Sequence, residues 1–118
     1  ACEDARVERM IGIGAPVKMR MASPRIQSIR ETPYSFHKPD EFTCAANRGG
    51  DTGSLFLLNH WIATFPPSRR ANRAIGGPFL ERRIASCERR RGHRVNLPAV
   101  DFDEDSGVVA IAQRLNAR

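Results

Sequence analysis

The chain has 118 residues, a net charge of +6 and 41% apolar residues, which limits it to one domain with a modest core. Its longest apolar stretch is far shorter than the ~20 residues of a transmembrane helix, and its charged start, ACEDARVERM, is unlike a signal peptide. The positive charge is almost all arginine, clustered at 69–73, 82–83 and 89–94, whereas acids gather at 101–105. Such arginine clusters fit a solvated helix surface or a surface that faces anions, and both interpretations stay open.

The first half of the chain carries few regular patterns. Apolar residues at helical spacing predict a helix over 3–11, and alternating apolar and basic residues predict a short strand over 16–21. Residues 31–53 contain two prolines and three glycines, which predicts a long loop. Loops of that length in compact domains are often functional.

Two strands are predicted in the second half. The segment SLFLLNHW, at 54–61, is short, continuously apolar and bounded by Gly53, as expected of a strand buried on both faces. The segment RVNLPAVDF, at 94–102, is the second candidate, although Pro98 weakens it.

Two amphipathic helices accompany these strands. The first covers 78–91, with Pro78 at its first position and Gly92 as its stop. Its predicted inner face consists of Leu80, Ile84, Cys87 and Arg91. The second covers 106–118, where Ser106 can cap a helix whose buried stripe consists of Val108, Ile111, Ala112 and Leu115.

Alternating buried strands and helices predict an α/β fold of parallel βα units. About three such strands with flanking helices are too few for a closed (β/α) barrel, which needs eight. Their edges and apolar faces would need partners. We therefore expect residues 1–118 to form part of a larger α/β architecture, a partial TIM-type barrel, or to self-associate.

Ligands of parallel α/β folds bind at the carboxyl ends of strands, where this sequence has Asn59, His60 and Asp101. His60 could act as an acid, a base or a donor, or it could be a histidine satisfied by its own hydrogen bonds. The acids at 103–105 are expected to begin the last helix, and a cation site built from residues 101, 103 and 105 is the alternative. No dinucleotide, P-loop or nucleophile-elbow motif is present, and no cofactor is predicted.

The cysteines lie at positions 2, 44 and 87, without the spacing of a zinc site. Cys44 and Cys87 could form a disulfide in an exported protein, or both could be free thiols.

Several stretches, in order, resemble the C-terminal half of bacterial phosphatidylinositol-phospholipase-C-like phosphodiesterases, the X-domain relatives built on a TIM-type barrel. They are ETPYSF, EFTCAANRGG, SLFLLNHW, ERRIASCERRRGHRVNLPAVDF and VVAIAQRLNAR. The similarity runs from about residue 7 to the end and is weakest over 16–30, where the acids of the family's loop are missing.

The resemblance implies a phosphodiester cleavage in which one histidine acts as base, another as acid, and an arginine steadies the phosphate. Those groups lie on the family's first strands, and His37, His60 and His93 do not match them. Asp101 matches the carboxylate that pairs with the acid histidine.

The resemblance also places Asn59, His60 and Arg48 at the barrel mouth, and it favours a Cys44–Cys87 disulfide and a secreted or cell-envelope protein. A cytoplasmic protein is the alternative for location. The implied partners are a phosphodiester or phospholipid headgroup and the membrane surface that would present such a lipid. Activity would need a missing N-terminal half. The alternative function is a non-catalytic basic module that binds anionic lipid or, less in keeping with the resemblance, nucleic acid.

Overall fold

The computed structural model describes residues 29–118, and these form an α/β fold. Three strands, β1 (Ile29–Glu31), β2 (Leu55–His60) and β3 (Leu97–Val100), form one sheet in the order β1-β2-β3. Both neighbouring pairs are parallel, with Glu31 aligned to Leu57 and Asn59 aligned to Ala99. The predicted parallel βα arrangement is therefore confirmed, while the predicted helix over 3–11 and strand over 16–21 lie outside the described residues.

Four helices accompany the sheet within residues 29–118. They are α1 (Arg69–Ala74), α2 (Pro78–Arg91), α3 (Asp103–Ser106) and α4 (Val108–Asn116), and a short 3-10 turn covers Pro39–Glu41. None of them has the length and apolar content that crossing a bilayer requires.

Helix α2 has the predicted bounds. Pro78 begins it, and Gly92 ends it in the left-handed conformation at φ 60°, which glycine adopts without a steric penalty. Three of the four predicted inner residues, Leu80, Ile84 and Cys87, are buried. The aliphatic and most charged residues therefore lie on opposite faces of α2, as their spacing predicts. The exceptions are Arg83, which is buried, and Arg91, whose side chain is only 7% exposed, in agreement with its predicted place on the inner face.

The predicted helix over 106–118 is observed as α4, which begins at Val108 rather than at Ser106. Gly107, at φ 71°, separates α3 from α4, so the acids at 103–105 lie in α3 rather than in the first turn of α4. The Ser106 hydroxyl accepts a hydrogen bond from the Val108 amide at 3.1 Å, although Gly107 occupies the capping position itself. The buried stripe of α4 contains the four residues that the spacing predicted.

The core lies between the sheet and helices α2 and α4. Phe56 and Leu58 project from β2 into a cluster with Leu80, Ile84 and Ile111, and all five are almost fully buried. Burial of each such side chain contributes about 1.5–3 kcal/mol. Since side chains alternate along a strand, the odd-numbered residues of β2 project to the opposite face of the sheet.

Several elements differ from the sequence interpretation, among them helices α1 and α3, which were not predicted. Strand β1 was not predicted, and its last residue, Glu31, fell at the start of the predicted loop over 31–53. Strand β3 is shorter than the predicted 94–102, because Asn96 uses its side-chain oxygen to accept the Phe56 amide at 2.9 Å. Pro98 nevertheless lies inside β3, aligned with Leu58.

Candidate functional site at the carboxyl edge of the sheet

The three strands end at one edge of the sheet, where polar side chains collect. Glu31 ends β1, Asn59 and His60 end β2, and Asp101 follows β3 directly. We call this edge the rim, defined by Glu31, Tyr34, His37, Arg48, Asn59, Trp61 and Asp101. The carboxyl ends of parallel strands are the usual place for ligands in α/β folds.

A buried carboxylate organises one end of the rim. The Glu31 side chain accepts hydrogen bonds from Asn59 Nδ2 at 3.0 Å, from Asn47 Nδ2 at 3.2 Å and from the Arg48 guanidinium. Only 3% of Glu31 is exposed, whereas 76% of the Arg48 side chain is exposed. The pair therefore presents a cation to solvent while its carboxylate stays in the protein.

The amide of Asn59 is held from two sides. Its Nδ2 also donates to the Thr32 carbonyl oxygen at 2.7 Å, and its backbone amide donates to the Thr32 hydroxyl at 3.0 Å. These bonds fasten β2 to the residues that follow β1. Asn59 is 3% exposed, so it positions Glu31 rather than offering its own amide to a ligand.

Backbone pairing explains why Arg48 reaches Glu31. The Glu31 amide donates to the Arg48 carbonyl oxygen at 3.1 Å, and the Asn47 amide donates to the Glu31 carbonyl oxygen at 3.0 Å. Gly49 follows at φ 80°, and a Cβ there would lie 1.8 Å from the Ile29 carbonyl oxygen. The NRGG stretch can therefore lie against β1 only with glycine at position 49.

An aromatic pair links Arg48 to the other end of the rim. The Arg48 guanidinium lies 5.3 Å from the centre of the Tyr34 ring, and Tyr34 stacks on Trp61 with ring centres 6.5 Å apart. Tyr34 is among the exposed large apolar side chains of the described residues, whereas Trp61 is buried. The rim is thus continuous from the Glu31–Arg48 pair to Trp61.

Asp101 lies in a cleft at this second end. The cleft has a volume of about 570 Å³, and Trp61, His37 and Asp101 are among its lining residues. His37 is held there by a 2.8 Å contact between Nδ1 and the Ala63 carbonyl oxygen, in which Nδ1 donates. A carboxylate and an imidazole therefore share one solvent-open cleft beside an indole ring.

His60 does not reach the rim. Its ring is 2% exposed and lies on the helix side of the sheet, stacked on Phe42 with ring centres 4.8 Å apart. Nε2 donates to the Ile75 carbonyl oxygen at 2.8 Å, and Nδ1 accepts from Arg83 Nη1 at 3.1 Å. Both ring nitrogens are used, so this is the histidine satisfied by its own hydrogen bonds that the sequence left open.

Burial also removes His60 from acid–base chemistry near neutral pH. Desolvation lowers the pKa of His60 to about 3, a backbone hydrogen bond to Ile75 opposes the shift, and the charge of Arg83 adds to it. The ring is therefore neutral, which agrees with the tautomer that its two hydrogen bonds require.

The site residues predicted from the sequence thus separate into three places. Arg48 and Asn59 are brought together by Glu31, Asp101 occupies the neighbouring cleft, and His60 is in the core. Glu31, Tyr34 and Trp61 were not among the predicted site residues. One local signal for Glu31 was available in the sequence. Pro33 has no backbone N–H and so ends a strand, which places the single acid Glu31 at a strand end.

The rim combines groups suited to a ligand with hydroxyl and phosphate parts. The exposed Arg48 can hold a phosphate oxygen, and Asp101 can accept a hydrogen bond from a hydroxyl or an imidazole. Among residues 29–118 no three acids, histidines or cysteines are arranged to hold a metal ion. In α3, Asp105 forms an ion pair with Arg69 at 2.7 Å instead of facing Asp101 in a cation site.

Replacing Glu31 with alanine should lower the free energy of unfolding by about 2 kcal/mol, because Asn59 and Asn47 lose a buried acceptor. Replacing its exposed partner, Arg48→Ala, should cost about 3 kcal/mol, because the buried Glu31 carboxylate then has no counterion. Urea denaturation of the two variants checks both values. A loss below about 1 kcal/mol in Arg48→Ala would contradict the view that the buried carboxylate needs Arg48 as its counterion.

Comparisons of the chain with protein-family models, with curated proteins and with solved structures found no match.

Proposed function

We propose that this chain is the C-terminal portion of a phosphoric diester hydrolase similar to the phosphatidylinositol-phospholipase-C-like phosphodiesterases. The observation that carries the proposal is the rim, where three parallel strands bring Arg48 and Asp101 to one edge. In this proposal the three strands are consecutive members of a TIM-type barrel, and the rim is part of its mouth.

Each group of the rim has a role in the proposed reaction. Arg48 holds a nonbridging phosphate oxygen, since a guanidinium pairs well with phosphate. Asp101 orients an acid histidine and stabilises its protonated form. Glu31 and Asn59 act through Arg48 and the strand ends, as positioning residues.

The rim does not supply the acid–base pair itself. His60 is buried and neutral, and His37 shares a cleft with Asp101 but does not match the family's acid histidine. We therefore expect the chain alone to bind a phosphodiester headgroup without cleaving it, and to need an N-terminal half or a second copy for turnover.

The disulfide between Cys44 and Cys87 supports an exported protein, because such bonds persist in oxidising compartments. We propose a secreted or cell-envelope location on this ground. A phospholipid substrate would then be met at a membrane surface.

Titration with glycerophosphoinositol tests the proposal, with the fluorescence of Trp61, the single tryptophan of the chain, as the readout. We expect saturable quenching that weakens about tenfold in Arg48→Gln, because one charged hydrogen bond is lost. Arg70→Gln, an exposed arginine on α1, is the matched control and should bind like the wild type.

Hydrolysis of phosphatidylinositol vesicles is measured in parallel, and we expect none. Absent binding, or equal weakening in the Arg48 and Arg70 variants, would contradict the assignment of the rim. Turnover by the isolated chain that is lost in Asp101→Ala would show that the catalytic groups were misplaced.

The alternative of a basic module for nucleic acid or anionic lipid receives less support. Many of its arginines are paired with acids, including Arg69 with Glu104, Arg114 with Glu81 and Arg118 with Glu88. Carboxylates thus interrupt the positive charge around these three arginines. A steep loss of binding to DNA, RNA or anionic vesicles with added salt would favour this alternative.

A further inference from the structure

A second cleft lies away from the rim, between helix α2 and the loop that contains the 3-10 turn. It has a volume of about 700 Å³, within the range of small-molecule sites. We call it the arginine cleft, since Arg82, Arg83, Arg90 and Arg91 line it and no acid does. The Cys44–Cys87 disulfide joins its two walls.

Only one of the four guanidinium groups is neutralised by an acid among the described residues. Arg91 pairs with Asp51 at 2.8 Å and also donates to backbone carbonyl oxygens. Within residues 29–118, the guanidinium groups of Arg82 and Arg90 make no ion pair or hydrogen bond, and both residues are exposed. The cleft therefore carries uncompensated positive charge.

Arg83 adds a buried charge to the cleft wall. It is 7% exposed, and its Nη atoms donate to the carbonyl oxygens of Asn59 and Thr43 at 2.6 and 2.8 Å. Its Nε is buried without a hydrogen-bond partner, and no carboxylate in the described part of the chain pairs with it. A buried cation without a counterion is costly, and an anion bound in the cleft would reduce that cost.

The spacing along α2 brings two free arginines to one place. Arg82, Ser86 and Arg90 follow at intervals of four residues, so Ser86 lies midway, about 6 Å along the helix from each. All three line the cleft. Long arginine side chains from both directions can therefore meet an anion beside the Ser86 hydroxyl.

The opposite part of the cleft is aromatic. Phe42 and Phe79 line it, with their ring centres 5.9 Å apart, and the Arg83 guanidinium lies 4.4 Å from the centre of the Phe42 ring. Both phenylalanines are half-buried, so ring surface remains for the apolar part of a ligand.

We propose that the arginine cleft binds a phosphomonoester, with its phosphate between Arg82 and Arg90 beside Ser86 and its organic part against Phe42 and Phe79. A phosphomonoester carries a charge of about −1.5 to −2 at neutral pH, which matches two free arginines better than a phosphodiester does. The site is separate from the rim, so the proposal goes beyond the phosphodiesterase function and does not rest on it.

The test is calorimetric titration of the full, oxidised chain with phenyl phosphate. We expect saturable binding that weakens at least about tenfold in Arg82→Gln/Arg90→Gln, because charged hydrogen bonds to phosphate are lost. Arg89→Gln is the matched control, since Arg89 is exposed on the same helix but does not line the cleft, and it should change binding less than twofold, about the size of a screened surface charge.

Vesicles distinguish a lipid headgroup from a free ester as the source of the phosphate. Binding to phosphatidic acid vesicles, but not to phosphatidylcholine vesicles, that is lost in the double variant would identify a lipid source. Binding of phenyl phosphate alone would identify a free ester.

Three results would overturn the proposal: no saturable binding of phenyl phosphate up to about 10 mM, equal weakening in the double variant and in Arg89→Gln, or vesicle binding without phenyl phosphate binding. The glycerophosphoinositol titration separates the two sites. Arg82→Gln/Arg90→Gln lies outside the rim and should keep the quenching of Trp61 by glycerophosphoinositol, so failure of the arginine cleft and failure of the rim are distinguishable.

Discussion

Replacing Cys44 and Cys87 together with alanine is expected to lower the free energy of unfolding by about 4 kcal/mol. The bond joins residues 43 apart in sequence, and a loop of that length constrains the unfolded chain strongly. It also anchors the loop around Cys44 to α2, where Cys87 is fully buried. Guanidinium denaturation of the oxidised protein and of the double variant measures the difference.

The reduced wild-type protein provides the control for this experiment. Reduction breaks the Cys44–Cys87 bond without removing either side chain, so it should lower the free energy of unfolding by a similar amount. A loss below about 1 kcal/mol in the double alanine variant would mean that packing, not the covalent link, holds the loop on α2.

Acidification from pH 7 to pH 4.5 is expected to cost about 3 kcal/mol of stability through His60 alone. Burial lowers the pKa of folded His60 from 6.5 to about 3, so the unfolded state binds a proton first as the pH falls. Above pH 6.5 the ring is neutral in both states and costs no stability. Below it, the free energy of unfolding falls progressively until the pH reaches about 3. The charged neighbour of the ring, Arg83, opposes protonation further.

The variant His60→Gln should remove that part of the pH dependence, whatever its stability at pH 7. His37→Gln, on an exposed histidine, is the matched control. Urea denaturation at several pH values gives the slopes, and the ring signals of His60 in NMR spectra should not shift above pH 4.5. A His60 ring that titrates near pH 6.5 would contradict the buried, doubly bonded arrangement.

Local sequence patterns alone were sufficient to predict several elements. The bounds of α2 follow from Pro78, Gly92 and one apolar stripe, and β2 follows from a continuous apolar run after Gly53. The parallel pairing of β2 with β3 also follows from alternating strands and helices. The disulfide was one of two open interpretations of the cysteines until the structure placed their Cα atoms 5.2 Å apart.

The orientation of His60 is the clearest case that periodicity did not resolve. Neighbouring residues of a strand project to opposite faces, so Asn59 and His60 could not both line one site. Asn59 meets Glu31 on one face, whereas His60 meets Ile75 on the other. The apolar run before them predicts burial on both faces and therefore does not say which face belongs to the rim.

Short-range patterns of this chain determine α2, α4, its two longer strands and their parallel order, because these depend on spacing within a few residues. The partners of its charged side chains depend instead on contacts between segments far apart in sequence. Glu31 meets Arg48 and Asn59, and Arg83 meets Thr43 and His60, only after the sheet and α2 have packed. Burial at those contacts, which sets protonation and exposure, is a property of the packed protein.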